Sequence, residues 1–388
     1  MTNEGLDRSR RTRVLHVMAT LLPSGMEMMF LSSAGEWEKL GYECDIVGPE
    51  PEIGPMAPRL REAGYGIFHI PFRRRARYLF RRGFFREFYQ LCASGYDVLH
   101  IHTEAITPIF ALLGKLAGIR VIALTPHNVF RFHGLLRVRK YLERWFIRRL
   151  GGRYGMISEG VRRCEWDLYR NPGVRTWNWL DTAKFHPPTP EERIAARQAI
   201  GCKEDRFVIL SVANCNAVKN HPAILRAIAF LPASLRCEYL HVGREQPDRP
   251  EEALAKELGI ADQVRFLGSQ NDTIPFFWAA DAFVMPSIIE GLPISAIEAI
   301  AAGVPAVLAA TEGLCDVIAE THWSFTTDTS AESVAKGLSQ LAQIPSAERM
   351  RRAGIDSDLI RKRFSMPGGV RSIVENLYGA PVQSVTNQ

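Results

Sequence analysis

The sequence predicts an α/β protein with two doubly wound domains in tandem, for two reasons. Short, unbroken runs of Val, Ile and Leu alternate with amphipathic segments of helical length along nearly all of the 388 residues. Such runs indicate strands of a parallel sheet whose two faces are covered by helices. The alternation stops in the proline-rich stretch 185–190 and then begins again, and a chain of this length exceeds one ordinary core. We therefore expect an N-terminal domain at 1–187 and a C-terminal domain at 188–365.

The individual elements follow from the same alternation. Apolar runs predict strands at 14–18, 44–47, 66–70, 98–101, 121–124, 154–157, 174–177, 207–212, 237–242, 264–267, 282–285 and 306–309. Amphipathic segments predict helices that include 26–40, 106–117, 135–149, 222–231, 251–258, 294–302 and 331–341. A last helix within 366–388, after a bend at Pro367-Gly368-Gly369, is expected to cross back to the N-terminal domain. Because ligands of doubly wound domains bind at the carboxyl ends of the strands, functional residues are expected in the loops that follow the strands.

The composition excludes several classes of protein. With 46% hydrophobic and 23% charged residues, the chain is globular rather than disordered. No apolar run approaches the roughly 18–20 residues of a membrane span, and the polar segment 1–13 is unlike a cleaved signal peptide. The seven cysteines are scattered without a Cys-x-x-Cys pair, as is typical of reduced thiols. We expect a cytoplasmic protein.

The net charge of +6 is concentrated in two basic clusters that aromatic residues interrupt. The first contains Arg73, Arg74, Arg75, Arg77, Arg81, Arg82 and Arg86 with Phe72, Tyr78, Phe80, Phe84, Phe85 and Phe88. The second contains Arg131, Arg137, Arg139, Lys140, Arg144, Arg148, Arg149 and Arg153 with Trp145 and Phe146. This mixture is typical of contact with an anionic membrane surface or an acidic, lipid-linked substrate. A solvated helix face and a nucleic-acid patch are the alternatives; we favour the first interpretation and expect no nucleic-acid partner.

Two glutamates, Glu290 and Glu298, flank a predicted helix start. Proline costs about 3 kcal/mol inside a helix but is tolerated in its first turn, so the helix is expected to begin near Pro293. Glu290 then lies in the loop, beside free N–H groups that favour an anion such as a diphosphate. Its carboxylate can accept hydrogen bonds from sugar hydroxyls, and Glu298 on the helix could hold a ribose diol. The alternatives are a capping box of Ser287 with Glu290, or two surface glutamates.

This segment resembles the Glu-x7-Glu signature of the retaining glycosyltransferases of family 4. The match consists of Glu290-Gly291-Leu292-Pro293 and of Glu298-Ala299-Ile300-Ala301-Ala302-Gly303-Val304-Pro305, and the resemblance extends over nearly the whole chain. It implies the GT-B fold, in which two Rossmann-like domains face a central cleft. It also implies that Glu290 contacts the donor sugar, that Glu298 contacts the ribose, and that amides of the turn bind sugar and phosphate. The other donor-binding residues implied here are Gly291, Leu292, Pro293 and Ile294.

A second loop supplies the expected cation. Lys219 lies just ahead of a predicted helix, where an ammonium can neutralise a diphosphate. It resembles the lysine of the family's Arg-x4-Lys phosphate pair, whereas the arginine position holds Asn214. A charge-assisted hydrogen bond is worth about 1.5–3 kcal/mol, against about 0.5–1.5 kcal/mol for a neutral one. Either phosphate binding is therefore weaker, or a nearby base such as Arg131 or Arg244 substitutes. The predicted donor-binding residues are completed by Gly243 and Phe266.

The N-terminal half adds two predicted contacts, Gly25 and His127. Gly25 opens a helix after the first strand, where glycine lets the backbone approach a ligand, and it resembles a glycine of the family's Gly-Gly-x-Glu loop. His127 ends another strand and resembles the family's cleft histidine, which binds near the reacting sugar. His100 and His102 could form a metal pair on one strand face. No third ligand has suitable spacing, so we favour packing or lining of the acceptor cleft for these two.

The resemblance implies a hexosyltransferase with Glu290, His127 and Lys219 as its catalytic residues. The donor is expected to be a nucleotide-diphosphate sugar, UDP before GDP, and the acceptor a hydroxyl of a lipid-linked or polysaccharide precursor at the inner face of the membrane. No Asp-x-Asp motif occurs, so we expect no metal and no cofactor. Lys219 and the turn at Glu290 should converge on one diphosphate across the gap between the domains. The alternatives are a soluble small-molecule acceptor, a nucleotide-sugar epimerase or hydrolase, and a catalytically silent GT-B scaffold.

Overall fold

The computed structural model of the protein describes residues 11–74, 77–203 and 205–379, which divide into two compact units. Unit 1 contains the chain up to Trp179 and the chain from Met366 onward, and unit 2 is Leu180–Ser365. The proline-rich stretch belongs to unit 2, because the Phe185 ring packs edge-on against Phe277 and the His186 carbonyl accepts a hydrogen bond from the Trp278 indole. The chain therefore passes from one unit to the other before that stretch begins.

Unit 1 is built on a parallel sheet. Its strands are β1 (Thr12–Val17), β2 (Tyr42–Gly48), β3 (Gly66–His69), β4 (Arg73–Arg74), β5 (Arg77–Phe80), β6 (Val98–Ile101), β7 (Val121–Leu124), β8 (Arg153–Met156) and β9 (Val174–Arg175). Its helices before Trp179 are α1 (Gly25–Lys39), α2 (Ala57–Glu62), α3 (Phe84–Cys92), α4 (Thr107–Leu116), α5 (Gly134–Arg149) and α6 (Glu159–Tyr169). The sheet order is β3-β2-β1-β6-β7-β8-β9, and β4 pairs with β5 in a separate antiparallel ribbon.

Unit 2 repeats this arrangement. Its strands are β10 (Phe207–Val212), β11 (Cys237–Val242), β12 (Val264–Phe266), β13 (Ala282–Met285), β14 (Ala306–Ala309) and β15 (Phe325–Thr327). Its helices are α7 (Pro190–Ile200), α8 (His221–Phe230), α9 (Pro250–Glu257), α10 (Ile274–Ala279), α11 (Ile294–Ala301), α12 (Leu314–Ile318), α13 (Ala331–Gln343) and α14 (Ser346–Arg363). The sheet order is β12-β11-β10-β13-β14-β15, and its pairs are parallel.

The central strands explain why the sequence shows continuous apolar runs. All four residues of β6, of β13 and of β14 are buried, because helices cover both faces of each sheet. The predicted strands are found, and 98–101, 121–124, 207–212, 237–242, 282–285 and 306–309 have the predicted bounds. The last predicted strand of the first half is shorter than expected, because only Val174–Arg175 pairs with β8.

The chain ends in helix α15 (Met366–Ser372), followed by a π-helical turn (Ile373–Tyr378). The predicted bend at Pro367-Gly368-Gly369 is wrong, since these residues lie inside α15. Proline is tolerated in a first helical turn, and a Cβ at Gly369 would lie 2.7 Å from the side chain of Trp179. Glycine thus lets α15 pack closely on this buried indole, whose N–H donates to the Met29 carbonyl at 3.0 Å.

Within the described ranges, no helix combines the length and the apolar composition that crossing a bilayer would require. The seven cysteines all lie in the described residues and form no disulfide, and five of them are buried. Buried single thiols of this kind act as small hydrophobic side chains.

Candidate active site

The strand order of unit 2 reverses between β10 and β13, and the loops after these two strands carry Lys219 and Glu290. In doubly wound sheets this is the point at which a ligand crevice opens at the carboxyl ends of the strands. The Lys219 Nζ atom lies 2.6 Å from Glu290 Oε1. The two residues therefore meet, as the sequence predicted. They meet inside unit 2 rather than across a gap between domains, because both loops leave the same sheet.

Backbone and amide hydrogen bonds hold these two loops together. The Ile288 amide donates to the Val218 carbonyl at 2.8 Å. The side-chain amide of Asn220 donates to the carbonyls of Pro286 at 3.2 Å and Thr329 at 2.9 Å. Asn220 has a φ of 56°, a left-handed conformation that asparagine tolerates better than most residues. The position of Lys219 relative to Glu290 is thus fixed by the chain around both residues.

Gly313 is a site residue that the sequence analysis missed. A Cβ at this position would lie 2.5 Å from the Glu290 carbonyl oxygen and 2.6 Å from that of Gly291, and the φ of Gly313 is +81°. Both facts require glycine. The Glu290 amide also donates to the Glu312 carbonyl at 3.1 Å. The only signal in the sequence for this contact with the Glu290 turn is a glycine between β14 and α12.

Helix α11 begins at Ile294 with Pro293 as its N-cap, so the predicted helix start is confirmed. The capping-box alternative is wrong, because Ser287 and Glu290 both lie in the loop before that helix. In the described part of the chain, the amides of Gly291, Leu292 and Ile294 donate to no protein acceptor. Free amides at a helix N-terminus favour an anion.

Glu298 lies one turn into α11 and is half-buried. Burial raises the pKa of its carboxyl to about 8, and the charge of Lys184 acts in the opposite direction. A carboxyl with this pKa is largely protonated at neutral pH, so it can both donate and accept a hydrogen bond. This is a suitable partner for a diol.

The predicted donor residues Asn214 and Gly243 lie in adjacent loops of unit 2. The Asn214 side chain accepts a hydrogen bond from the Arg244 amide at 2.9 Å. A Cβ at Gly243 would lie 2.0 Å from the Ala213 carbonyl oxygen, so glycine is required where the two loops approach. Of the two bases considered as substitutes for the family arginine, Arg244 adjoins Asn214, whereas Arg131 belongs to unit 1.

Phe266 lies in β12 and is half-buried. Its ring packs against His241 with 5.6 Å between the centroids. The side chain therefore contributes to the packing of the sheet.

In unit 1, Gly25 is the exposed first residue of α1. Ser24 is the N-cap, and its hydroxyl donates to the carboxylate of Glu27. Burial raises the pKa of Glu27. The sequence analysis missed Gly54, where a Cβ would lie 2.0 Å from the Thr20 carbonyl oxygen. Gly54 thus permits the close approach that shapes the loop between β1 and α1.

His127, at the carboxyl end of β7, is the last member of a chain of three imidazoles. Its Nε2 lies 2.8 Å from Nδ1 of His102, whose Nε2 lies 3.1 Å from Nδ1 of His16. Burial lowers the pKa of His127 to about 4 and that of His16 to about 3. The imidazoles are therefore neutral near pH 7, and each link fixes the tautomer of its neighbour.

His16 is also the third imidazole that the sequence analysis did not find near His100 and His102, since it comes from the adjacent strand β1. Ligand atoms of the three residues lie within 4.8 Å of one another. The nitrogens of His100 are, however, 2.8 Å from the Tyr378 and Thr125 hydroxyls. Hydrogen bonding already uses both nitrogens, which favours packing over metal binding for this group.

Comparisons with known proteins agree with this geometry. The family model "Glycosyl transferases group 1" matches residues 192–356, and the model "Glycosyl transferase 4-like domain" matches residues 24–163. EpsF of Bacillus subtilis (strain 168), which is assigned to the glycosyltransferases, is 25% identical over 324 residues. That match covers 77% of this chain and 79% of EpsF. The lipopolysaccharide glucosyltransferase WaaG of Escherichia coli (strain K12) is 35% identical over 141 residues, which are 36% of this chain and 37% of WaaG.

Solved structures show the same fold. The structure of Anabaena HepE in complex with UDP and glucose matches with a TM-score of 0.79 and 16% identity, over 95% of this chain and 100% of HepE. The structure of WaaG, a glycosyltransferase involved in lipopolysaccharide biosynthesis, matches with a TM-score of 0.73 and 19% identity, over 95% of this chain and 100% of WaaG. The predicted GT-B fold is confirmed, and the chain belongs to the group 1 glycosyltransferases of the family 4 type.

Proposed function

We propose that this glycosyltransferase is a retaining enzyme that moves a sugar from a UDP-sugar to a hydroxyl of a lipid-linked or polysaccharide precursor. The observation that carries the proposal is the meeting of Lys219 and Glu290 at the strand reversal of unit 2. The structure of HepE in complex with UDP and glucose supports UDP as the nucleotide. The lipopolysaccharide glucosyltransferase WaaG supports a glycan acceptor that is built on a lipid.

The charges at the site fit the departure of a nucleoside diphosphate. Negative charge develops on the leaving phosphate, and preorganised donors aimed at that charge lower the barrier. The Lys219 ammonium carries three N–H donors, of which one is directed at Glu290. The amides that precede α11 supply further donors. We infer that these groups stabilise the diphosphate without a bridging divalent ion.

Glu290 and Glu298 would then orient the two ends of the donor. Glu290 is bonded to Lys219 through Oε1, and its Oε2 remains for a hydroxyl of the donor sugar. The protonated carboxyl of Glu298 would bind the ribose diol. For the transfer itself we propose attack on the face from which the diphosphate leaves, with a phosphate oxygen accepting the proton of the acceptor hydroxyl. Neutral His127 would contact the reacting sugar through a hydrogen bond.

A membrane-bound acceptor is supported by the exposed face of α5. Its outer surface carries Leu135, Val138, Leu142 and Trp145, which are exposed by 88%, 55%, 54% and 43%. These positions are spaced three or four residues apart and form one stripe. The Arg149 guanidinium lies over the Trp145 ring at 5.2 Å. An exposed apolar stripe beside arginines is typical of a helix that lies in the interface of an anionic membrane.

The inner face of α5 makes this arrangement unusual. Lys140 and Arg144, which the sequence analysis placed in the second basic cluster, are buried in ion pairs with Glu104 and Glu165. They are therefore not available to a membrane or a substrate. The helix buries charged side chains and exposes large apolar ones, the reverse of an ordinary surface helix. A partner that covers the apolar stripe accounts for this reversal.

The first basic cluster is less well suited to such contact. Arg81 is paired with Glu87, and the rings of Phe72, Phe84 and Phe88 are buried in the core of unit 1. Phe85 is exposed. Arg75 lies outside the described residues, as do the side chains of Arg74, Arg77, Tyr78 and Phe80.

The proposal is tested by measuring nucleotide release from a set of UDP- and GDP-sugars, with and without lipid-linked glycan acceptors. We expect UDP release that depends on the acceptor, and a product whose anomeric configuration, read by NMR, equals that of the donor. Release at the same rate without acceptor would indicate a hydrolase, and conversion of the donor into another UDP-sugar without net release would indicate an epimerase. Absence of release with every donor, despite donor binding, would indicate a silent scaffold. An inverted product would disprove retention while leaving the transfer itself established.

A further inference from the structure

Unit 2 contains a buried cluster of metal-ligating side chains that the proposed transfer reaction does not use. Cys215 lies in the loop after β10, His221 is the first residue of α8, and His241 lies in β11. All three are buried, and their candidate ligand atoms lie within 4.8 Å of one another. We propose that Cys215, His221 and His241 bind a structural zinc ion.

The hydrogen bonding of the cluster is incomplete. Cys215 Sγ lies 3.3 Å from His241 Nε2, while His241 Nδ1 lies 3.2 Å from the Ser211 hydroxyl. His221 Nδ1 is buried and has no hydrogen-bond partner among the described residues. A buried polar atom without a partner destabilises the folded protein, so its retention calls for a ligand. The thiol supplies a single proton for several lone pairs.

Glu251, on α9, adds negative charge beside the Cys215, His221 and His241 cluster. Its side chain is 4% exposed, and one carboxylate oxygen accepts from Gln246 Nε2 at 3.2 Å. The other oxygen, Oε2, is buried without a partner in the described part of the chain. The carboxylate also raises the pKa of the Cys215 thiol, after the larger effect of burial. A cation bound between thiolate and carboxylate would compensate both charges.

The ligand chemistry selects zinc. Sulfur and two imidazole nitrogens are donors that Zn²⁺ accepts in tetrahedral geometry, whereas Mg²⁺ and Ca²⁺ require oxygen. A neutral imidazole offers one nitrogen lone pair to a metal. The Ser211 hydroxyl beside His241 Nδ1 is the kind of outer partner that orients a metal-bound histidine. Binding would release the thiol proton to solvent.

A zinc ion at this position would also affect the donor site, through the loop that carries Lys219. Cys215 and His221 are the two ends of the loop segment that carries Lys219. A zinc ion held by both ends, and by β11, would fix the loop in the conformation in which Lys219 faces Glu290. The zinc site itself does not depend on the proposed transfer reaction, since it would exist in a silent scaffold as well.

The test uses the full-length protein and Zn²⁺ or Co²⁺ as the probe. We expect about one zinc ion per chain by mass spectrometry of the native protein, and a Co²⁺ form with thiolate-to-metal charge-transfer absorption. Cys215→Ala and His241→Gln should weaken zinc binding on the order of tenfold or more. Cys315→Ser, at an exposed thiol of the same unit, should leave zinc content unchanged.

Circular dichroism establishes whether each variant is folded. A second test uses the native protein alone. Removal of the metal should lower its melting temperature, and Zn²⁺ but not Mg²⁺ should restore it. Native protein that holds no zinc after exposure to Zn²⁺ would overturn the proposal. So would a Co²⁺ spectrum without the thiolate band, or equal zinc content in the Cys215→Ala variant.

Discussion

The ammonium of Lys219 and the carboxylate of Glu290 form an ion pair of 2.6 Å, and each belongs to one of the two loops between which the strand order of unit 2 reverses. The Glu290 side chain is 9% exposed and that of Lys219 is 23% exposed, so the pair is mostly withdrawn from water. Removing one partner leaves a largely buried charge without compensation. The pair therefore both joins the two loops and balances the charge of each side chain.

Replacing Lys219 with Ala is expected to lower kcat/KM for the UDP-sugar by roughly 10- to 150-fold, because a charge-assisted hydrogen bond to phosphate is worth about 1.5–3 kcal/mol. Glu290→Ala should reduce transfer below detection, a larger loss, since the donor sugar loses the carboxylate that accepts its hydrogen bonds. Steady-state kinetics of acceptor-dependent UDP release would measure both effects. Lys336→Ala, at an exposed lysine of α13, is the control and should retain full activity. Full activity in both the Lys219 and the Glu290 variants would remove the site assignment.

Arg244 is expected to compensate for the neutral Asn214. Its amide is bonded to the Asn214 side chain, and its guanidinium is exposed beside the loop that carries Lys219. Arg244→Ala should raise the KM for the donor on the order of tenfold and change kcat less. Asn214→Arg in that background should recover part of the affinity. Arg226→Ala, at an exposed arginine of α8, is the matched control.

The KM of the Arg244→Ala variant distinguishes the two explanations of the neutral Asn214, which are substitution by another base and weaker phosphate binding. A KM that does not change would mean that Arg244 is not the substitute, and Arg131→Ala then becomes the variant to examine. If neither variant raises KM, the site binds phosphate with Lys219 and backbone amides alone.

Strand bounds and helix starts could be predicted where they depend on residues close together in the chain. Buried strands such as β6 and β13 read as unbroken apolar runs, so their bounds could be predicted. The start of α11 followed from the cost of a proline inside a helix, which placed Glu290 in a loop and Glu298 on the helix. Both inferences need only residues that are close in the chain.

Features that depend on contacts between distant segments could not be predicted. Gly54 and Gly313 are required because a carbonyl from another loop approaches them, and neither carries a spacing pattern. His16 joins His102 only through strand pairing. Lys140 and Arg144 belong to a basic run in the sequence, yet their partners Glu104 and Glu165 come from elsewhere in unit 1. The number of basic residues in the sequence is therefore larger than the number that the surface exposes.

The buried histidines of unit 1 are expected to make the protein sensitive to mild acid. Burial lowers the pKa of His16 to about 3 and of His127 to about 4, below the value near 6.5 of an unfolded chain. Between these values the unfolded chain binds more protons than the folded one. The contribution of these histidines to the free energy of unfolding should thus be constant above about pH 6.5 and fall below it, by up to about 1.4 kcal/mol per pH unit for each histidine. The raised pKa of Glu298 acts in the opposite direction, as a single group.

Calorimetric melting between pH 7 and pH 5 would measure this effect, in a range where ion-paired carboxylates have not yet been protonated. His16→Asn removes one such group, so its melting temperature should depend less steeply on pH than that of the native protein. His69→Asn is the control, because this histidine lies at the exposed end of β3. An identical pH dependence in the His16 variant and the native protein would contradict the interpretation.

The apolar stripe of α5 is expected to bind anionic membranes. Leu142→Glu should reduce partitioning onto phosphatidylglycerol-containing vesicles on the order of tenfold or more, because burial of a leucine side chain is worth about 1.5–3 kcal/mol. Co-sedimentation with vesicles would measure the partitioning. Ile194→Glu, at an isoleucine of α7 that is 56% exposed against 54% for Leu142, is the matched control in unit 2. Equal binding of both variants, or equal binding to neutral and anionic vesicles, would assign the stripe another partner.

Transfer is expected to proceed without an added divalent cation. Lys219 and the amides before α11 direct N–H donors at the leaving diphosphate, so we expect a bridging ion to add little stabilisation there. Rates measured with Mg²⁺, with Mn²⁺ and with neither should agree within about twofold, which corresponds to less than about 0.5 kcal/mol in the barrier. Zinc content is determined in the same samples, because loss of a structural zinc would act through the conformation of the loop that carries Lys219 and would also lower the melting temperature. A rate that rises with Mg²⁺ and saturates, at unchanged zinc content and unchanged melting temperature, would show that the protein's own donors are insufficient for the diphosphate.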